Sequence, residues 1–297
     1  MTIKYDSTLK LIYESIFQGA DEEEVARRLK EFKGATIKDF IEMLDKKGKL
    51  QRRRDGTYDV NGTLDLENLR LYSLKEIPLK INKVDGHFRC ANNNLTSLEG
   101  APKEVTGSFM CTSNRISKLE NIQDTINKNF NCSYNKLTSL EGAPTKVLGS
   151  FACLGNKLTD IKDAPKEVGG DFRVSNNAIT SLEGSPTIVN GQFSCDRNLL
   201  TSLKGAPRKI GGNFVIDVGH GSSARKTNHN RLTSLEGGPE EVGGNLFIDF
   251  ADLTSLDGFP KKIGGDVHGQ EFEGRKLKFK KSDITKISNI SGKIYLY

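Results

Sequence analysis

Five cysteines stand in this chain: Cys90, Cys111, Cys132, Cys153 and Cys195. The first four fall 21 residues apart. Thiols stacked at one place in successive layers would lie ~4.8 Å apart, a spacing that suits a soft metal ion. His220 and His229 with Asp217 form a second metal-like constellation, but their spacing matches no common ligand pattern. Asp196, Asp217 and Asp249 recur at one position of a repeat, and stacked carboxylates draw a cation or a basic group. The run "KKGKLQRRR" at 46–54 is the densest basic stretch, and Arg52, Arg53 and Arg54 are suited to phosphate contacts.

Each metal reading has a simpler rival. The cysteine position holds Val174, Ile216 and Ile248 elsewhere, so a small buried hydrophobe satisfies it. No cofactor and no metal are therefore expected. The chain contains no G-x-x-x-x-G-K-S/T, G-x-S-x-G, H-E-x-x-H or paired C-x-x-C, and its four histidines fall in no catalytic context. The expectation is a protein without enzymatic activity.

What must position these residues is a repeat. Phe88, Phe109, Phe130, Phe151, Phe172, Phe193 and Phe214 follow one another at 21-residue steps, then come Leu246 and Val267. Four places before each stands a β-branched residue: Val84, Val105, Ile126, Val147, Val168, Val189, Ile210, Val242 and Ile263. Leucine or isoleucine follows seven places after most of them, as in Leu95, Ile116 and Leu137. Asparagine recurs at 93, 114, 135, 156, 177, 198 and 230. The F-x-C alternation has the period of a half-buried strand. The asparagines form a ladder to the backbone of the turn and of the next coil. Proline ends the apolar segment (Pro102, Pro144, Pro165), and glycine permits a tight return (Gly107, Gly149, Gly170). One coil cannot bury its own apolar face, so the phrase must repeat.

The unit F-x-C-x-x-N-x-L-x-x-L-x-x-x-P-x-x-V-x-G resembles the leucine-rich repeat family in its short bacterial and phage-encoded form. The resemblance covers residues 60–297, about eleven coils, with a loop insertion at 217–230 and an irregular C-terminal cap at 268–297. It implies a parallel sheet on a concave face, an extended or 3₁₀ convex side, and a binding surface on the order of 50 Å long. Binding a partner protein is the favoured function. The expected contacts are Asp196, Arg197, Val215, Asp217, His220, Arg225, Phe247, Asp249 and Phe250. A phage or bacterial effector that inhibits a host factor fits the resemblance.

Residues 1–59 lie outside the repeat. Apolar spacing predicts three helices (Leu9, Ile12 and Ile16; Val25, Leu29 and Phe32; Ile37, Phe40, Ile41 and Leu44), followed by a hairpin about Asp55-Gly56 with a type I′ turn. The combination resembles a winged helix, or serves as a cap on the solenoid. A nucleic-acid partner through Arg52, Arg53 and Arg54 is the rival function. The third helix opposes it by presenting Asp39, Glu42 and Asp45 against one base, Lys38. A self-assembling structural protein is the third reading, and the oligomeric state is left open. A net charge of +6 over 297 residues permits nucleic acid without requiring it. No apolar run reaches the ~18 residues of a membrane span. The odd cysteine count and the absence of a secretory leader pattern point to the cytoplasm.

Overall fold

The computed structural model describes residues 49–69, 71–77, 79–216, 230–249, 253–270 and 279–296. The three expected N-terminal helices fall outside these residues. So do Asp217, His220, Arg225, His229 and Phe250.

The described chain winds into a parallel β-solenoid with a 21-residue period and almost no helix. Each coil contributes one strand to an 11-stranded parallel sheet. Phe88 pairs with Phe109, Phe109 with Phe130, and so on in register to Phe214 against Leu246 and Leu246 against Val267. The end coils keep this register: Leu64 pairs with Phe88, and Ile294 with Val267.

The opposite side of each coil is also a ladder. Thr125–Ile126, Lys146–Val147, Glu167–Val168 and their successors build an 8-stranded parallel sheet. The expected extended stretch is thus a second sheet, and among the described residues 3₁₀ geometry is confined to Leu74–Glu76. Most strands in both sheets are only two residues long, because a 21-residue circuit leaves little straight path between turns.

The β-branched residue and the phenylalanine of each coil meet in one core. Phe88, Phe109, Phe130, Phe151, Phe172, Phe193 and Phe214 are all within 1% of complete burial. Their rings form a column with centroids 5.0–5.9 Å apart. From Phe130 to Phe193 the planes lie within 20° of parallel. Such neighbours add about 0.5–1.5 kcal/mol per pair beyond area burial.

Two side-chain ladders satisfy the turns. In the first, each repeat asparagine reaches back to the preceding coil, not forward. Asn135 Oδ1 accepts from the Ile116 amide at 3.0 Å, and Nδ2 donates to the Cys111 carbonyl at 3.0 Å. The second ladder sits just before the phenylalanine. There a short acceptor takes the amide of the next coil: His87 Nδ1 from Ser108, Ser108 Oγ from Asn129, Asn129 Oδ1 from Ser150, and Asp171 Oδ1 from Gln192.

The repeat glycine serves close approach. A Cβ on Gly107 would stand 2.5 Å from the Gly86 carbonyl oxygen, and the Gly107 amide donates to that oxygen at 2.8 Å. A larger residue would push successive coils apart.

At the N-terminal end a hairpin joins the solenoid. Leu50–Arg52 pairs antiparallel with Tyr58–Asn61, and the latter pairs parallel with Ile81–Asp85. The 59/60 boundary therefore falls inside a strand, and Leu50 and Val60 are buried in the common core. The turn is not type I′. Gly56 donates to the Arg53 carbonyl and alone takes a positive φ, +81°, which is a type I turn closed by a left-handed glycine. The Asp55 carboxylate explains the difference, because it accepts from both the hydroxyl and the amide of Thr57. At the other end the helix Lys281–Thr285 buries Ile284, and Ile290, Ile294 and Leu296 pack half-exposed on the last coil. Among the described residues no helix is long and apolar enough to cross a membrane.

Candidate functional site

The outward face of the 11-stranded sheet carries the varied residues. One place after each inward residue come Arg89, Met110, Asn131, Ala152, Arg173, Ser194, Val215, Phe247, His268 and Tyr295. In-register pairing lines these up as one row. A groove of about 450 Å³ lies along it. Tyr134 and Leu154 flank one end, Arg173, Asn176 and Arg197 the middle, and Phe247 the other end.

Four places after the inward residue the backbone turns left-handed. Asn92, Ser113, Tyr134, Gly155, Asn176 and Arg197 have φ between 53° and 61°. Asparagine and glycine adopt this conformation most readily, whereas a bulky side chain there costs on the order of 1 kcal/mol or more. Tyr134 is nevertheless 57% exposed. Its ring lies over Gly155, where an added Cβ would stand 2.6 Å from Tyr134 Cδ1.

The carboxylate row has a different character from the one expected. Asp196 is buried, accepts a short hydrogen bond from the Ser175 hydroxyl, and lies 4.0 Å from Arg197 Nε. Its charge is balanced within the chain. The strand Leu246–Asp249 holds Asp249 opposite Gln270, and Asp217 is outside the described residues. The guanidinium of Arg173, 44% exposed, accompanies Asp171 at 2.7 Å. Val215 is 7% exposed and forms a wall of the groove in place of the expected open apolar patch.

Beyond Val215 the row becomes aromatic. Phe247 stacks on the His268 ring at 4.8 Å and 8°, and His268 on Tyr295 at 5.0 Å and 14°. The repeat register carries Phe247 and His268 into this row, but a 21-residue step does not reach Tyr295, because the last coil departs from that period. The signal was the "ISGKIYLY" ending, whose isoleucine repeats the inward position.

The cysteines form no reactive centre. All five are free and buried, and desolvation pushes the Cys90, Cys111 and Cys132 thiols well above their ordinary range. Cys111 and Cys132 each direct sulfur to a carbonyl of the next coil at 3.5 Å. Among the described residues no three histidine, cysteine or acidic side chains are arranged to hold a metal. On the hairpin, Arg52, Arg53 and Arg54 are exposed, and Arg53 is tied to Asp59 at 2.9 Å.

Comparison of the chain with family models, curated proteins and solved structures finds no match.

Proposed function

We propose that this chain is a non-enzymatic interaction protein of the leucine-rich repeat type, binding a partner protein through the outward face of its longer sheet. The observation that supports this reading most directly is a contrast between two sets of positions. Inward positions repeat one chemistry coil after coil, from Phe88 to Phe214, while the outward row changes at almost every step. A scaffold needs the first, and specific recognition needs the second. The groove adds partly exposed aromatic and aliphatic groups (Tyr134, Leu154 and Phe247) beside guanidiniums, the composition of binding hot spots. The insertion at 217–230 follows Ile216 in the sequence, and in this reading it supplies further contacts. A bacterial or phage-encoded inhibitor acting in a host cytosol is the setting the repeat type suggests.

The test is capture from nuclease-treated bacterial lysate with the full chain and with the Arg173→Glu, Phe247→Ala double variant. A protein retained by the first and lost by the second is the expected result. Retention unchanged in the variant would remove the groove from the function. A catch that disappears with nuclease would transfer the role to the hairpin arginines Arg52, Arg53 and Arg54.

A further inference from the structure

We infer that the groove takes an uncharged, extended segment of the partner with two apolar side chains about four residues apart, a proposal that rests on the protein-binding reading above. Charge, hydrogen-bonding capacity and spacing each contribute to it.

The groove is electrically balanced. Arg173 is paired with Asp171 at 2.7 Å, and Arg197 lies 4.0 Å from the buried Asp196, which also accepts from the Ser175 hydroxyl. Two cations and two carboxylates cancel. A charged side chain of either sign laid against them would lose water and meet charges that are already paired. Recognition therefore falls to neutral groups.

Those groups are side-chain amides on both rims. Gln192 and Asn213 stand just before their strands and Asn176 just after its own, and all three line the groove half-buried. Gln192 Nε2 donates to Ser194 Oγ at 2.6 Å, which leaves its Oε1 as an acceptor. Asn213 Oδ1 accepts from the Asn245 amide at 2.8 Å, which leaves its Nδ2 as a donor. The Asn176 side chain makes no hydrogen bond among the described residues. An extended peptide turns its N–H and C=O groups alternately to its two sides, and its side chains up and down. Laid along the solenoid, such a chain points its backbone at both rims. A primary amide donates and accepts, as a peptide unit does.

The apolar groups stand at the two ends. Tyr134 and Leu154 flank one, Val215 and Phe247 the other. Leu154 and Val215 belong to coils three steps apart, ~14 Å along the solenoid. Four residues of an extended chain cover the same ~14 Å at ~3.4 Å each. Side chains four apart also project from one face of the segment, so both reach the floor together. A separation of three would send one of them to solvent. A neutral sugar chain could satisfy the rims, but it carries no pair of apolar side chains for the ends.

The experiment pans a phage-displayed library of random seven-residue peptides against the full chain, then measures the selected peptide with a fluorescein label. The expected pool is uncharged and carries apolar residues at i and i+4. Moving one of them by a single place should weaken binding at least about tenfold. Asn176→Ser and Asn213→Asp should each weaken it about three- to tenfold. Tm should stay within about 2 °C in both variants, because Ser113 and Asp171 hold these positions in other coils. Enrichment of charged peptides, no preference in spacing, tighter binding of maltohexaose, unchanged affinity in both variants, a fall in Tm that accounts for the loss, or no enrichment at all would overturn the proposal. A photo-crosslinking residue placed at Ala152, on the same face, separates the two levels. Protein adducts from lysate without peptide enrichment would leave the broader reading standing and remove the uncharged segment. Absence of both would remove both.

Discussion

Asn230 occupies the rung directly after Asn198, although 32 residues separate them instead of 21. Asn198 Oδ1 accepts from the Ile179 amide at 3.1 Å, and Asn230 Oδ1 accepts from the Leu200 amide at 3.1 Å. Asn230 Nδ2 also donates to the Cys195 carbonyl at 3.0 Å, the contact that Asn198 makes with Val174 one coil earlier. Phe214 pairs with Leu246 as if the insertion were absent. Deleting residues 218–228 restores the 21-residue step. The deletion is expected to leave Tm within about 2 °C of the full chain, as read by calorimetry. A larger fall would assign those residues a share in the core.

The asparagine ladder is expected to dominate local stability. Asn135→Ala strands the buried Ile116 amide, while the Cys111 carbonyl keeps a donor in Asn114 Nδ2 at 3.2 Å. Chemical denaturation should register a loss of about 1–3 kcal/mol, the cost of one orphaned buried group. Amide exchange at Ile116 should rise more than at distant coils.

The glycine contact predicts a steric penalty with a specific address. Gly107→Val places branched carbon against the Gly86 backbone, within 2.5 Å of its carbonyl oxygen at the Cβ alone. Loss of about 2 kcal/mol or more is expected. Valine introduced at the exposed Lys136 should cost well under 1 kcal/mol.

Acid should loosen the hairpin before the solenoid. The Asp55 carboxyl is held below its ordinary value by the Thr57 hydroxyl, then by the Thr57 amide. At Asp59 burial opposes ionisation, but hydrogen bonds from Asn82 and Arg53 prevail and hold its carboxyl low as well. A depressed folded-state value means that the stabilisation is complete above the unfolded-state value, ~3.9, and fades as pH falls through the folded one. Amide protection at Arg53 and Gly56 should therefore hold down to about pH 4 and drop as the pH falls further in the native chain. Asp55→Asn should flatten that dependence.

The thiols should be inert until the chain opens. With Cys90, Cys111, Cys132, Cys153 and Cys195 all buried, a thiol reagent at pH 8 should label none of them in the native state and all five in denaturant. Cys153→Val should fold normally, as Val174 does at the same position one coil on. Rapid native labelling would contradict the packing described.

The core was legible because it repeats. Phe88 to Phe214, the β-branched column and the asparagine column each announce themselves by residue type in one register. Other features share a geometry without sharing a chemistry. The left-handed column reads Asn92, Ser113, Tyr134, Gly155, Asn176 and Arg197, and no property of these side chains reveals their common φ. The second ladder uses His87, Ser108, Asn129, Ser150 and Asp171, alike only in placing an acceptor close to the backbone. Asp196 was read as an exposed carboxylate from its column alone. The partner that engages it, Ser175, belongs to the same column one coil earlier, and period counting does not show that two members of a column touch.

The two ladders point in opposite directions along the chain. Each asparagine reaches back to the coil already made, while each acceptor before a phenylalanine waits for the amide of the coil to come. Each coil thus completes the bonds of its predecessor on both ladders, by its asparagine on one and by its backbone amide on the other. In the finished solenoid both ladders leave their open ends on the same side of every coil, the side that faces the coil after it.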